Sequence, residues 1–561
     1  MRLEIHTVGV VGCGTMGSGI CEVCARGGFD VVFAEASPEA VAAGHERISR
    51  SVERAVARGK LDRGGADAVL ARIRSTTELE GLAGCDVVFE AVPEHLDIKK
   101  SVFSRLDGIL ERDAILATNT SSLPVIDMAV ATQRPDRVLG FHFFNPAQVM
   151  PLVELVYTVA TEQSVIDSAR VFAQRLGKTP VPCRDRAGFI ANLLLFPYLN
   201  SAVRMLDQGF ASREDIDAAM QLGAGHPMGP LALLDLIGLD SAYEICEALW
   251  RQFRDTQDAP PALLKQYVVA GYLGRKTGRG FYRYEAPESP KTVDAVPDFT
   301  GVATSDVRRV GVVGASPLAL AIAETVAASG AEVLLHAPGE ELRSGAEGVT
   351  ATDDVAALAE VDLALEAVAG GSDRVHEVFR ELDRSIKPDA ILATTTSFEP
   401  VVDLAAATDR PDRVVGLHFL HPAARTKVVE VVHTVATSPE VEKRATAWVR
   451  SLGRRPVRCR DRAGFVVNFL LFPYLNDAIR MHEQGYSTPA DIDTAMKLGC
   501  GHPVGPFELM DEIGLDVTLD VLDLLHDEFR ERRYAPAPLL EHMVRAGYLG
   551  RRTGRGFYDH T

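Results

Sequence analysis

Thirteen residues near the N-terminus, VGVVGCGTMGSGI (Val8–Ile20), return in altered form as VGVVGASPLALAI (Val310–Ile322). Further on, RPDRVLGFHFFNPA returns as RPDRVVGLHFLHPA, RDRAGFIANLLLFPYLN as RDRAGFVVNFLLFPYLN, and AGYLGRKTGRGFY as AGYLGRRTGRGFY. Equivalent positions lie 302 residues apart at the turn (310 − 8) and 276 apart thereafter (418 − 142), so copy two lacks 26 residues early on (302 − 276). A period this long duplicates whole folded units and excludes a solenoid of short repeats. The 561 residues suit about four domains. Two copies of a two-domain unit supply them with ample core.

Copy one opens as a βαβ unit. HTVGVVG is an apolar strand, Gly12, Gly14 and Gly17 form G-x-G-x-x-G, and a helix of small residues follows. Glycines there allow the tight turn, close backbone approach to a pyrophosphate and close helix–strand packing. The helix N-terminus offers its free N–H groups to the phosphates. A lone G-x-G-x-x-G could be a packing turn. Here the strand precedes it, the helix follows, and Glu35 ends the next strand, FDVVFAE, 18 residues past the last glycine. That context predicts a dinucleotide site built from Gly12, Gly14, Thr15, Met16, Gly17 and Glu35. Glu35 can accept both ribose hydroxyls of NAD and would repel the 2′-phosphate of NADP.

After a helical stretch at about 38–60 come CDVVFEAVPE, AILATNTSS and RVLGFHFFNP, apolar runs that end in polar residues. Buried parallel strands read this way, and ligands gather at their carboxyl ends. Those ends hold Glu94, Asn119, Ser121 and His142; PLVELVYT then supplies Glu154. Asn192 lies in an apolar helical run, AGFIANLLLFPYL, where an amide must find a partner. Oxidising an alcohol with NAD removes a hydride and a proton, and a base must take the proton. Histidine titrates near neutrality and suits that task. A carboxylate on its other nitrogen would fix the tautomer and stabilise the imidazolium. His142 and Glu154, 12 residues apart on two candidate neighbouring segments, could be that pair. They could equally be a core histidine satisfied by backbone and a surface glutamate.

The set G-x-G-x-M-G, NTSS, HFFNP, LVE, GFIAN and GRKTGRGFY resembles the L-3-hydroxyacyl-CoA dehydrogenases of the 3-hydroxybutyryl-CoA type, over nearly all of residues 5–284 and, altered, over 308–558. The resemblance implies that His142 is the catalytic base and Glu154 its partner. It implies that Ser121 and Asn192 hold the 3-oxygen and the thioester end of the substrate. Glu94, Lys99 and Asn119 would lie near the NAD cofactor, and Ser51 and Arg58 of the helical arm near the CoA moiety. The implied fold is an α/β Rossmann domain followed by an all-α helical domain, the pair duplicated in tandem. The boundaries read 1–186, 187–284, a proline-rich linker 285–307, a degenerate Rossmann domain 308–462, and a second helical domain 463–561. In one-copy members of the family the helical domain makes the dimer contact. The second helical domain could fill that place in cis, as a pseudo-dimer with further homo-oligomers open. The implied reaction is the interconversion of an L-3-hydroxyacyl-CoA and a 3-ketoacyl-CoA, on a short chain such as 3-hydroxybutyryl. Longer and dicarboxylic acyl groups stay open. Two other readings are a dehydrogenase of a hydroxy acid without CoA, such as a sugar acid, and a non-catalytic NAD or acyl-CoA sensor. No residue is assigned to a metal.

Copy two departs selectively. Gly14 becomes Ser316, Gly17 becomes Ala319, Glu35 aligns with Ala337 and Glu94 with Gly370, and the missing residues are the helical arm. Asn119 becomes Thr395 and Asn145 becomes His421, yet Ser397, His418, Glu430 and Asn468 keep the spacing of copy one. This predicts a second copy that binds no dinucleotide and serves as structure. A net charge of −18 argues against nucleic acid or an anionic membrane as partner, and no apolar run reaches the ~18 residues of a membrane helix. The N-terminus enters IHTVGVVG at once, which leaves no room for a signal peptide. Eight cysteines in so long a chain suggest free thiols in a reducing cytoplasm. Cys21-x-x-Cys24 reads as two packing residues on a helix rather than a redox pair. His226, in the helix–helix connection GAGHPMGP, reads as structural.

Overall fold

The computed structural model describes residues 4–294, 304–337, 347–369, 371–396, 399–420, 423 and 426–560. Gly370, Ser397 and His421 lie outside the described residues, as does part of the linker, 295–303.

The first sheet contains β1 (Thr7–Val11), β2 (Asp30–Ala34), β3 (Ile73–Thr76), β4 (Val87–Glu90), β5 (Ile115–Thr118), β6 (Val138–Phe143), β7 (Leu152–Tyr157) and β8 (Thr179–Arg184). The second contains β9 (Arg309–Val313), β10 (Glu332–His336), β11 (Val349–Thr352), β12 (Leu363–Glu366), β13 (Ile391–Thr394), β14 (Val414–Phe419), β15 (Val428–His433) and β16 (Arg455–Arg460). The two orders are the same, β3-β2-β1-β4-β5-β6-β7-β8 and β11-β10-β9-β12-β13-β14-β15-β16. Six strands run parallel, then β6 pairs antiparallel with β7 and β14 with β15. The apolar runs VVFE, ILAT and VLGFHF are buried at every position, as strands covered on both faces must be.

The duplication shows in the cores as volume exchange. Phe89, Phe141 and Phe172 cluster in the first sheet's core with ring centroids 5.1–6.1 Å apart. Their equivalents are Leu365, Leu417 and Trp448, all buried: two smaller side chains beside one larger keep the space filled. The deletion is equally local. Between β2 and β3 lie residues 35–72, with helices Pro38–Ala57 and Arg63–Ala71. Between β10 and β11 lie only residues 337–348.

Two compact units emerge, and neither is one copy of the repeat. One comprises Met1–Phe196, Glu244–Ala259 and Ala478–Leu509; the other comprises Pro197–Tyr243, Pro260–Asp477 and Met510–Thr561. Each sheet is therefore packed by helices from both copies. In the first unit, helix Pro489–Cys500 lies on β7 and β8, and the Tyr486 hydroxyl donates to the Arg184 carbonyl at 2.6 Å. In the second, helix Arg213–Ala218 lies on β16, the Arg460 amide donates to the Phe210 carbonyl at 3.1 Å, and Arg455 pairs with Asp215 at 3.1 Å. An edge strand left bare would present unpaired backbone groups; here the other copy covers it. Among the described residues, no helix is long and apolar enough to cross a membrane.

Candidate active site

The first glycine turn is open. Gly12 takes φ +89°, and a Cβ there would come within 2.8 Å of the Ala91 carbonyl oxygen. A Cβ on Gly17 would stand 1.8 Å from the Gly12 oxygen, so the helix can pack this closely only with glycine. Gly14 differs: a Cβ there would meet nothing within 4 Å. It caps helix Thr15–Arg26 without a side-chain hydrogen bond, so the first N–H groups, including those of Thr15 and Met16, keep no intrahelical partner. The Glu35 carboxylate accepts from the Cys13 amide at 2.6 Å, which places the acid beside the turn. Open space at Gly14, an uncapped helix start and an acid at the strand end are what the pyrophosphate and ribose of NAD require. The sequence reading missed Arg47, whose guanidinium donates to the Cys13 carbonyl at 3.2 Å; no spacing rule points to a residue that reaches the turn from the arm.

The second turn is closed on itself. Ser316 caps helix Pro317–Ala327, and its hydroxyl accepts from the Ala319 amide at 3.1 Å and donates to the Ala367 carbonyl at 3.1 Å. Pro317 has no N–H to offer. The hydroxyl thus satisfies an N–H of the first helical turn from within the chain, and Ala337, buried just past β10, carries no side-chain acceptor.

Behind the first turn sits a buried charge network. Lys99, 1% exposed, donates to Glu90 at 2.8 Å and pairs with Glu94 at 3.1 Å. The Thr118 hydroxyl donates to the other Glu90 oxygen at 2.7 Å. Glu94 also accepts from the Thr120 hydroxyl at 2.5 Å and the Ser121 amide at 3.1 Å. Burial alone would raise the Glu94 carboxyl, but the Lys99 charge and these hydrogen bonds outweigh it and hold it below the usual carboxylate range. Lys99 is thus committed to carboxylates rather than exposed, while Glu94 fixes the loop that carries Ser121. In the second sheet Glu366 keeps the threonine partner, Thr394 at 2.7 Å, but Lys99 has become Val375. Burial accordingly pushes the Glu366 carboxyl up.

His142 and Glu154 stand directly opposite each other on β6 and β7. The His142 Nδ1 lies 2.7 Å from Glu154 Oε2. The other carboxylate oxygen accepts the amides of Ile190 and Ala191 at 3.1 and 2.9 Å. One buried carboxylate therefore orients the imidazole and anchors the start of helix Ala191–Asp207. The residue before those amides, Phe189, takes φ +51°, a left-handed conformation that bulky side chains rarely adopt. Asn192 follows directly, and its amide reaches the Ser121 carbonyl at 3.4 Å. Asn119 accepts from the Phe143 amide at 2.9 Å. The alternative of a lone core histidine and a surface glutamate is overturned, because both side chains are buried and joined. The second sheet repeats the pair: His418 Nδ1 is 2.6 Å from Glu430, which accepts from Val466 and Val467 at 2.9 and 3.0 Å. Asn468 is buried there, and Thr395 takes the Asn119 position, accepting from Phe419 at 3.3 Å.

On the arm, Ser51 accepts from the Gln148 amide at 3.0 Å, a clasp the sequence did not signal. Arg58 stands exposed at the end of that helix. Cys21 and Cys24 are buried, unbridged thiols whose pKa values burial pushes up, as suits packing residues rather than a redox pair. His226 is buried with its Nδ1 3.2 Å from the Tyr198 hydroxyl. Among the described residues, no group of three or more His, Cys, Asp or Glu side chains could hold a metal ion.

The sequence profile of the 3-hydroxyacyl-CoA dehydrogenase NAD-binding domain matches residues 7–186 and 336–462, the second match beginning only past the closed turn. The profile of the C-terminal domain of the same family matches 188–284 and 464–560. A 3-hydroxybutyryl-CoA dehydrogenase of Mycobacterium tuberculosis is 48% identical over 286 residues, 51% of this chain and 100% of that protein. A 3-hydroxyadipyl-CoA dehydrogenase of Escherichia coli is 30% identical over 556 residues, 98% of this chain and 100% of that one. A crystal structure of 3-hydroxybutyryl-CoA dehydrogenase from Escherichia coli superposes with a TM-score of 0.76 at 30% identity, covering 97% of this chain and 100% of that one. With both domain profiles matched twice and a relative 30% identical along its whole length, the chain belongs to the 3-hydroxyacyl-CoA dehydrogenase family, as an NAD-binding oxidoreductase with its unit duplicated.

Proposed function

We propose that copy one alone turns over, oxidising a short-chain L-3-hydroxyacyl-CoA such as 3-hydroxybutyryl-CoA or reducing the matching 3-ketoacyl-CoA, in a reducing cytoplasm. The observation that carries this reading is the contrast between copies. Both hold the His–Glu pair, but only copy one joins it to an open turn with an acid beside it. Bound NAD supplies the hydride acceptor. His142 takes the hydroxyl proton on Nε2, since Nδ1 is committed to Glu154. Glu154, held by two backbone amides, fixes the tautomer and stabilises the imidazolium that forms. Ser121 and Asn192, brought together by the Asn192 amide donating to the Ser121 backbone carbonyl, hold the 3-oxygen and the thioester end. Glu94 and Asn119 shape the cofactor side, with Lys99 fixing Glu94. Ser51 and Arg58 of the arm meet the anionic CoA, which needs local cations in a chain of net charge −18.

Copy two keeps its dyad for a structural reason. Removing Glu430 would orphan the amides of Val466 and Val467, at about 1–3 kcal/mol for each buried unsatisfied group. Its helical domain takes in cis the place of a dimer partner, on domains read as 1–186, 187–284, 308–462 and 463–561. A dicarboxylic acyl group is the second reading, favoured by the relative named for 3-hydroxyadipyl-CoA that spans the whole chain. A steady-state panel of 3-hydroxybutyryl-, longer and 3-hydroxyadipyl-CoA tests both. The highest kcat/KM is expected with the butyryl ester; an adipyl ester in first place would select the second reading, and no turnover of any CoA ester would overturn both. In the reductive direction NADH is expected to exceed NADPH in kcat/KM by at least about tenfold, a difference of roughly 1.4 kcal/mol. Equal efficiency would remove the role given to Glu35.

A further inference from the structure

The residues around the dyad of copy one are packed by residues of copy two. Within the first compact unit, helix Pro489–Cys500 packs on β7 and β8 and brings Gly499 against the HFFNP segment. A Cβ on Gly499 would stand 2.8 Å from Leu152 Cδ2, and 3.1 and 3.2 Å from Cε1 and Cζ of Phe144. The Phe144 ring lies 4.7 Å from the His142 ring, centroid to centroid, tilted by 48°. Leu152 is fully buried on β7, two residues before Glu154. The helix therefore touches the neighbours of both dyad members, and any side chain at 499 asks Leu152 and Phe144 to give way. Tyr486 adds to this packing, fully buried, with Arg186 stacked 5.0 Å from its ring centre and bonded to Gln484 at 2.7 Å. Burial raises the pKa of Cys183 and pushes that of Cys500 up to about 12, and in both the Glu154 charge adds to it.

The second compact unit offers an internal comparison. Gly223, the equivalent of Gly499 (223 + 276), would set its Cβ 2.7 Å from Leu420 Cδ1 and 3.3 Å from Val428 Cγ1. The close approach is kept on both sides, and each histidine has a ring 5.4 Å away, Phe189 or Phe465, but the second ring, Phe144, is a leucine in copy two.

We propose that the second copy is part of the first copy's active centre, with Gly499 a positioning residue that seats Phe144 and, through it, the His142 imidazole. This rests on His142 as the base. It gives copy two a role in catalysis without any ligand of its own. A side chain larger than methyl at 499 presses on the Phe144 ring as well as on Leu152, and a misplacement of about 1 Å at a catalytic group can cost about 10²-fold in rate.

The test uses the full-length enzyme with Gly499→Val, Gly499→Ala, Phe144→Leu and the double variants, Leu being the residue copy two carries at the equivalent position. Gly499→Val is expected to lower kcat by about 10–100-fold, with KM for the acyl-CoA and the Kd for NADH by fluorescence titration within about twofold, because the turn is not touched. Gly499→Ala, which asks its neighbours for only a few tenths of an ångström, is expected to lie between Gly499→Val and the wild type. Adding Phe144→Leu to either is expected to recover part of the lost kcat. If Gly499→Val does not fold, the alanine pair carries the same comparison. Wild-type kcat in folded Gly499→Val overturns the proposal, as does a kcat loss that Phe144→Leu leaves unrelieved, or a loss confined to NADH affinity. A fully active His142→Gln enzyme would defeat the base assignment instead, so the two failures are distinguishable.

Discussion

The His142→Gln enzyme is expected to lose about 10²–10⁴-fold in kcat, the usual worth of a positioned acid–base group, while His418→Gln turns over within about twofold of the wild type. The two histidines have the same partner, strand position and burial, with Nδ1 to carboxylate distances of 2.7 and 2.6 Å. The difference in outcome must therefore come from what surrounds the pair: the cofactor turn above all, with the arm, Glu94, Lys99, Asn119 and Phe144 that copy two lacks. Glutamine keeps a hydrogen-bonding side chain near the carboxylate, so folding should survive at both sites, and a thermal melt of each variant checks this. If each substitution halved activity, two sites would be working and the account of copy two as structure would fall.

The second large effect concerns truncation. A chain ending near residue 285 loses helix Pro489–Cys500 from β7 and β8, and with it the Tyr486 bond to Arg184. It also exposes Leu152, which is fully buried in the intact chain. Bare apolar surface beside an edge strand drives association. The truncated protein is expected to be poorly soluble or to form dimers that restore the contact in trans, read by light scattering after size-exclusion chromatography. A soluble monomer with full activity would show that copy two covers nothing the first copy needs.

The legible parts of the sequence were those in which one residue type answers one backbone demand. Gly12 and Gly17 are readable because φ +89° and a 1.8 Å approach admit no side chain. The replacement of Gly14 and Gly17 in copy two, where Gly12 persists as Gly314, read equally plainly, and Ser316 closing the turn is its physical form. The His142–Glu154 pair was half legible: the spacing allowed it, but only the antiparallel register of β6 with β7 makes the two residues face each other. Lys99 was found by resemblance, yet its burial between Glu90 and Glu94 depends on a helix folding back over β4. Arg47 and Gln148 were missed because each acts across an unrelated stretch of chain, 34 and 97 residues away. Least legible was the regrouping of helices. The resemblance implied a second helical domain in a dimer partner's place, but hydrophobic periodicity shows that a face is buried, not which copy buries it, so which segments join which compact unit could not be read.

The most direct test of the central claim, one working site supported by a second copy that binds no dinucleotide, is the stoichiometry of NADH binding by isothermal titration calorimetry on the full-length protein. The open turn at Gly14 and the closed turn at Ser316 predict one equivalent of NADH per chain. Two equivalents per chain would contradict the account.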